Sequence, residues 1–191
     1  MRTTAKHGRA TGHAVAALLM VVALGACTGD GGSPPPNQPG DHVALELSMG
    51  PGAAGLSTEA RDRLQNDVGA MLSTYVVDAY LGDYPRDDFA DALDSFTKSF
   101  TDRAATNLEL LTGAGFGEGV ESVSATRLSA SISSFVPQQQ VVGATAVVDF
   151  AFDVEANGTT SEITRRGRLM LMPEDGKWKI FGFDMAPEGD Q

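Results

Sequence analysis

From residue 142 to residue 154 every even position is apolar or small (Val142, Ala144, Ala146, Val148, Phe150, Phe152, Val154), while Asp149, Asp153 and Glu155 occupy odd ones. A period of two sends successive side chains to opposite faces of a sheet, so the segment is predicted to be a strand with one buried face. Asn157-Gly158 follows, a two-residue hairpin signal because both residues accept the positive φ of a type I′ turn, and the partner strand is expected over residues 161–172. Asp175-Gly176 turns the chain again into a last strand over residues 177–185. Residues 122–136 alternate imperfectly: Val123 and Ala125 hold one phase, Leu128, Ala130 and Ile132 the other. A bulge near Thr126-Arg127 is expected to keep both sets facing inward, with Pro137 ending the strand.

Earlier in the chain the period changes. Leu64, Val68, Leu72, Tyr75, Val76, Ala79 and Tyr80 recur at three- and four-residue steps, which predicts a long amphipathic helix to about Leu81. Ser57 or Thr58 offers an N-cap oxygen, Glu59 and Asp62 suit the positive helix end, and Gly82 and Pro85 close it. Asp87 or Asp88 is expected to open a second helix with Phe89, Leu93, Phe96 and Phe100 on one face. Thr101 would cap a short third helix whose Ala104, Leu108 and Leu111 form a stripe up to Gly113. An opening strand fits residues 43–47, where Val43, Leu45 and Leu47 alternate before the break at Gly50, Pro51 and Gly52. Gly113, Gly115, Gly117 and Gly119 follow a helix and precede a strand, the reverse of a dinucleotide-binding loop, and are read as a helix-to-sheet connection. A strand, three helices and an antiparallel meander make an α+β order, with the helices on one face of a curved sheet.

The first 41 residues obey neither period. Residues 1–13 carry Arg2, Lys6 and Arg9 with no acid, and residues 14–26 (AVAALLMVVALGA) are uncharged and almost wholly apolar. Thirteen residues rise about 20 Å as a helix, short of the ~30 Å hydrocarbon core, which fits a signal-peptide core rather than a membrane span. Leu24, Gly25, Ala26 and Cys27 then resemble the lipobox of bacterial lipoproteins. The resemblance implies diacylglycerol on the Cys27 thiol, a new N-terminus there that can carry a further fatty acid such as palmitate, and a protein anchored on the extracytoplasmic face of the cell membrane. It also accounts for a lone cysteine in an exported chain. Residues 28–41 (TGDGGSPPPNQPGD) lack large apolar side chains and carry Pro34, Pro35, Pro36 and Pro39. At ~3.1 Å per residue this extended tether can hold a domain a few tens of Å from the bilayer. The expected organisation is a signal peptide over residues 1–26, a lipid-anchored tether over 27–41 and a folded domain over 42–187.

Charge narrows the partners. The net charge is −11, and residues 1–26 hold three of the 14 basic side chains and none of the 25 acidic ones, so the mature chain carries −14. An acidic body repels nucleic acid and anionic headgroups, and nucleic acid is excluded as a partner.

The long first helix, the hairpin spanning Asp149 to Met172 and the closing GKWKIFGFDM segment around Trp178 resemble the NTF2-like superfamily. That cone-shaped fold is shared by ketosteroid isomerases, polyketide cyclases and many exported actinobacterial accessory proteins. The resemblance implies N-terminal helices packed on a curved antiparallel sheet around a pocket open at one end. Fold alone does not supply an activity.

The residue inventory narrows the chemistry. His42 is the one histidine after the signal segment, and Cys27 is committed to lipid. Histidine-based acid/base catalysis, Ser-His or Cys-His nucleophiles and His/Cys metal sites therefore lack their reagents, and the His-Asp pair of polyketide cyclases has no counterpart. No cofactor, no metal and no enzymatic activity are expected; the leading expectation is a non-catalytic binding or assembly role at the cell envelope. Its partners would be the membrane, through the lipid, and a hydrophobic small molecule or an envelope protein, with homodimerisation through the sheet as a further option.

Two alternatives stand beside it. An isomerase-like enzyme needs only a carboxylate base and a phenol or protonated acid. Tyr75, Tyr80 and Tyr84 supply phenols, and Asp78, Asp149, Asp153 and Asp184 supply carboxylates. Asp184 shares a phase with Trp178 and Ile180, so an inward strand face there would bury it. A docking accessory of a membrane transport complex could instead use Arg165, Arg166 and Arg168 as a basic patch, unless these pair with Asp149 or Asp153 across the hairpin.

Overall fold

The computed structural model describes residues 43–186. Cys27 and its lipobox neighbours Leu24, Gly25 and Ala26, the signal segment, the tether and His42 lie outside the described residues.

Among the described residues five strands form one sheet, hydrogen-bonded in chain order: β1 (Glu46–Met49), β2 (Val120–Phe135), β3 (Gly143–Ala156), β4 (Thr159–Glu174) and β5 (Lys177–Met185). β2 to β5 are the antiparallel meander that the alternation predicts. Asn157 and Gly158 have φ of 53° and 70°, and Asp175 and Gly176 51° and 77°, the left-handed pairs that tight hairpins demand. The β2–β3 register slips between Ala125 and Arg127, so Thr126 is the extra residue and both apolar sets of β2 face inward. β1 begins later than its alternation suggests and runs parallel to β2, with Glu46 opposite Ser129 and Met49 opposite Ile132.

Helix α1 (Thr58–Tyr80) buries the predicted stripe. Its N-cap is Ser57, whose side chain accepts from the Ala60 N–H at 3.2 Å. A Cβ at Gly69 would lie 2.5 Å from Leu47 Cδ1, so glycine lets α1 rest against the residues of β1. At the exit Arg86 folds back, donating to the carbonyls of Leu81 (3.1 Å) and Asp78 (2.5 Å), and Tyr84 O–H donates to Tyr80 O (2.9 Å). These bonds satisfy carbonyls that the last helical turn leaves open.

The second helix is shorter than its stripe predicts. Asp88 Oδ1 accepts from Ala90 N at 2.8 Å, yet α2 covers only Ala90–Leu93. Phe96 instead bridges to Ile180 of β5: Thr97 N–H donates to Ile180 O (2.9 Å) and Ile180 N–H to Ser95 O (2.8 Å). Covering the β5 edge while burying Phe96 outweighs continuing the helix. The third helix is split into α3 (Thr101–Ala105) and α4 (Leu108–Leu111). Thr106 Oγ1 and Asn107 Nδ2 both donate to the Arg103 carbonyl, at 2.9 and 2.8 Å, competing with helix continuation. Thr101 does not cap; its hydroxyl donates backward to Thr97 O at 3.0 Å. All four helices contribute to the cluster that covers the inner sheet face, and the fold is α+β.

Candidate functional site

The inner sheet face and α1 meet around an aromatic cluster. Tyr75 and Tyr80, one and a half turns apart on α1, are both fully buried. Tyr75 O–H donates to Leu111 O at 2.6 Å, whereas the Tyr80 oxygen lies 3.5 Å from that of Tyr75. Tyr80 stacks on Phe152 at 4.9 Å and on Phe116 at 5.8 Å between ring centroids, and Tyr75 meets Phe96 edge-on at 5.9 Å. The glycine-spaced connection is what places Phe116: residues Gly113–Phe116 form a 3-10 turn, capped by Thr112, which accepts from Ala114 N at 3.2 Å. Burial pushes the Tyr80 phenol up to about 12 and Tyr75 well above the ordinary tyrosine value, with the Arg165 charge opposing in both. Tyr84, half-buried, is also raised by burial. Neither Tyr75 nor Tyr80 lines either of two surface grooves, of about 510 and 520 Å³.

Arg165 belongs to this interior and not to a surface patch. It is 4% exposed, its guanidinium lies 5.2 Å from the Phe116 ring centroid, and it donates to the carbonyls of Thr164 (3.2 Å) and Gly115 (3.3 Å). Consecutive strand residues point oppositely, so Arg166 and Arg168 are the members of the trio associated with the outer face.

Asp184 is on that outer side as well, which corrects the strict alternation of the sequence reading. In the β4–β5 register Met170 faces Gly182 and Leu171 faces Ile180, so Phe181 is an extra residue. The resulting slip aligns Trp178 and Ile180 with Phe183 and Met185 on the inner face and turns Asp184 outward, where it is more than half exposed and pairs with Arg168. Tyr75, Tyr80 and Asp184 therefore lie on opposite sides of the sheet, and the isomerase-like set is not brought together. Asp149 accepts from Arg127 at 2.9 Å and from Arg166 at 3.2 Å. Burial works to raise its carboxyl, but the two guanidinium partners outweigh that and hold it below the usual range. Asp153 sits opposite Glu162. Arg127 escapes sequence reasoning because its reach to Asp149 depends on the bulge register.

The outer face also carries exposed apolar side chains, set among polar ones such as Ser129, Ser131, Ser133 and Thr145. Phe135 is 68% exposed, and Val142, Val147, Met172 and Phe181 are exposed too. Phe135, Val142, Met172 and Phe181 line a shallow cavity of about 520 Å³. A second groove of about 510 Å³, between α1 and the β4–β5 turn, takes in Asp67, Asp78, Asp94 and Trp178. Burial raises the Asp78 carboxyl, and Asp91 and Asp94 add to this against Arg86. Among the described residues no group of three or more His, Cys, Asp or Glu side chains is placed to hold a metal ion. No described helix is long and apolar enough to cross a membrane.

No family model and no curated protein matches the chain. Among solved structures, the crystal structure of the intermembrane space region of the chloroplast protein ARC6 is similar with a TM-score of 0.37 at 17% identity, covering 66% of this chain and 96% of that one.

Proposed function

We propose that the chain is a lipid-anchored docking protein of the cell envelope, non-catalytic, whose folded part is an NTF2-like cone with a filled interior. The supporting observation is the contrast between the two sheet faces. The inner face, where a ligand pocket would lie, is packed with Tyr75, Tyr80, Phe96, Phe116 and Phe152, while the outer face exposes Phe135, Val147, Met172 and Phe181. Large apolar and aromatic side chains gathered on one exposed face mark an interaction surface. A partner protein held at the membrane is the occupant. The tether reaches only a few tens of Å, and two mature chains of −14 each repel one another, which disfavours a second copy. The Cys27 lipid is the anchor, and two acyl chains at ~0.8 kcal/mol per buried CH₂ make it effectively stable.

Photocrosslinking in the host from positions 135 and 147, with position 103 in α3 as control, tests the surface. The expected result is a crosslink to one envelope protein from the outer positions, absent at 103 and lost with Phe181→Asp at unchanged thermal stability. A product of twice the chain mass would replace the partner by a homodimer, and no outer-face crosslink would end the docking reading. A hydrophobic molecule retained in native mass spectrometry would replace it with a carrier. Fatty-acid labelling that persists in Cys27→Ser would refute the anchor.

A further inference from the structure

β2 pairs with β3 along its whole length, but β1 meets only its second half, from Glu46 opposite Ser129 to Met49 opposite Ile132. Among the described residues no strand lies on that side of residues 120–127, and no main-chain hydrogen bond from a loop or helix reaches them. The strand phase shows which groups this leaves open. Gly50 N–H donates to Ile132 O at 2.7 Å and Ser134 N–H to Pro51 O at 3.1 Å, so even-numbered residues there turn N–H and C=O toward β1 and odd-numbered ones toward β3. The bulge at Thr126 reverses the phase. On its N-terminal side Ser122 and Ser124 therefore face β3, while Val123 and Ala125 turn their N–H and C=O groups to the open edge. A second register shift, at Glu121, ends the regular stretch, so two bulges frame a slot over residues 122–125.

Among the described residues the chain itself leaves this slot bare. β1 begins at Glu46, and Val43, Ala44 and Leu45 precede it without joining the ladder. The next residues along that register are Pro39, Gly40, Asp41 and His42; proline has no N–H to give, and glycine weakens a strand. A second copy is opposed by the charge of −14 on each mature chain. The side chains suit an incoming strand, because Val123 and Ala125 are half-buried at the rim of the core while Ser122 and Ser124 are exposed and uncharged. Edges closed to partners carry lysine, proline or an inward charge, and residues 122–125 carry none of these. We propose that residues 122–125 are a strand-addition site, where an extended segment of a partner protein pairs with the main chain of Val123 and Ala125. Small or apolar residues of that segment lie beside Val123 and Ala125 and alternate with polar ones beside Ser122 and Ser124. The acidic body favours a segment that is neutral or basic. The two bulges keep the pairing short, since each ends the regular ladder. This edge is separate from the exposed apolar side chains of the outer face, and either surface can be occupied without the other.

Hydrogen exchange followed by NMR on the full chain tests the slot without a partner. The Val123 and Ala125 amides should exchange on the order of a hundredfold faster than those of Ser122 and Ser124, which β3 protects. Equal protection of all four would mean that the edge is already covered, and would overturn the proposal. Photocrosslinking in the host from position 124, with the product mapped by mass spectrometry, reads the partner. The expected product joins the chain to one other protein, and Val123→Pro and Ala125→Pro should each lower its yield about two- to tenfold, the effect of one lost main-chain bond. Both prolines spare the β2–β3 bonds, so the urea midpoint should hold, and Val123→Thr, which keeps the N–H, should keep the yield. A product indifferent to both prolines would show a contact that does not use the ladder, a product of twice the chain mass a second copy, and no product an unused edge. Each of these outcomes overturns the proposal. Crosslinks from positions 135 and 147 report the outer face separately, so failure of one surface is distinguishable from failure of the other.

Discussion

Tyr75→Phe and Tyr80→Phe remove the same atom from neighbouring buried rings, and the structure assigns them different costs. Tyr75 loses a 2.6 Å bond and leaves the Leu111 carbonyl facing an apolar ring, a penalty of about 1–3 kcal/mol. Tyr80 loses only a 3.5 Å contact, at the limit of a hydrogen bond, and sheds a buried hydroxyl, so its change should stay within ~0.5 kcal/mol. Tyr80→Ala is a different matter, because it strips the ring stacked on Phe152 and Phe116 and opens a cavity, costing about 3–5 kcal/mol. Against a typical total of ~5–15 kcal/mol, that leaves the domain marginal. Urea unfolding followed by Trp178 fluorescence reads all three variants, and with m of ~1–3 kcal/mol/M the Tyr75→Phe midpoint should fall by roughly 1 M. If Tyr80→Phe costs as much as Tyr75→Phe, the Tyr80 hydroxyl has a partner the geometry does not give it. If Tyr80→Ala costs under ~1 kcal/mol, the ring sits in a yielding space such as a ligand pocket, and the filled-interior argument fails.

Further expectations follow from the same geometry. All three tyrosines have raised values, Tyr80 to about 12, so the folded chain holds phenolic protons more tightly than the unfolded one. This contribution is full below the unfolded value near ~10 and is lost as pH rises through the folded values, so phenolate absorbance at about 295 nm should appear together with unfolding; reversible titration of Tyr75 or Tyr80 near pH ~10 in the intact fold would contradict it. Arg86→Ala removes the bonds to Leu81, Asp78 and Asp88 and the cation 4.5 Å from the Phe89 ring centroid. It should cost about 1–3 kcal/mol, speed hydrogen exchange in the last turn of α1, and be only partly rescued by Lys, which lacks the guanidinium fork. Asp149→Asn should cost about 0.5–1 kcal/mol, because both of its pairs are partly exposed. The Asp149 carboxyl is held low, so this contribution is present above about pH 4 and is lost as pH falls through its folded value; an acid-unfolding curve identical to wild type would refute it.

What the sequence determined by itself was whatever acts within a few residues. The period-two run of β3, the left-handed turns at Asn157-Gly158 and Asp175-Gly176, the Ser57 cap and the α1 stripe are local dihedral and burial preferences, and the structure has them where the pattern predicts. The β2 bulge was legible because two apolar sets stood visibly out of phase. The β5 bulge was not, since both phases of that strand are apolar, and the register is decided by Met170 and Leu171 on its neighbour. That one slipped residue takes Asp184 away from Tyr75 and Tyr80. The parallel pairing of β1 and the break after Leu93 were equally invisible, as each depends on an edge strand distant along the chain. Of the sites, the Asp149–Arg166 pair was readable across a hairpin, whereas the inward Arg165, the filled interior and the groove at Trp178 exist only once helix and sheet are packed. Local chemistry selects elements from near neighbours, but which face a side chain occupies is settled by registers and packing that join residues far apart in the chain.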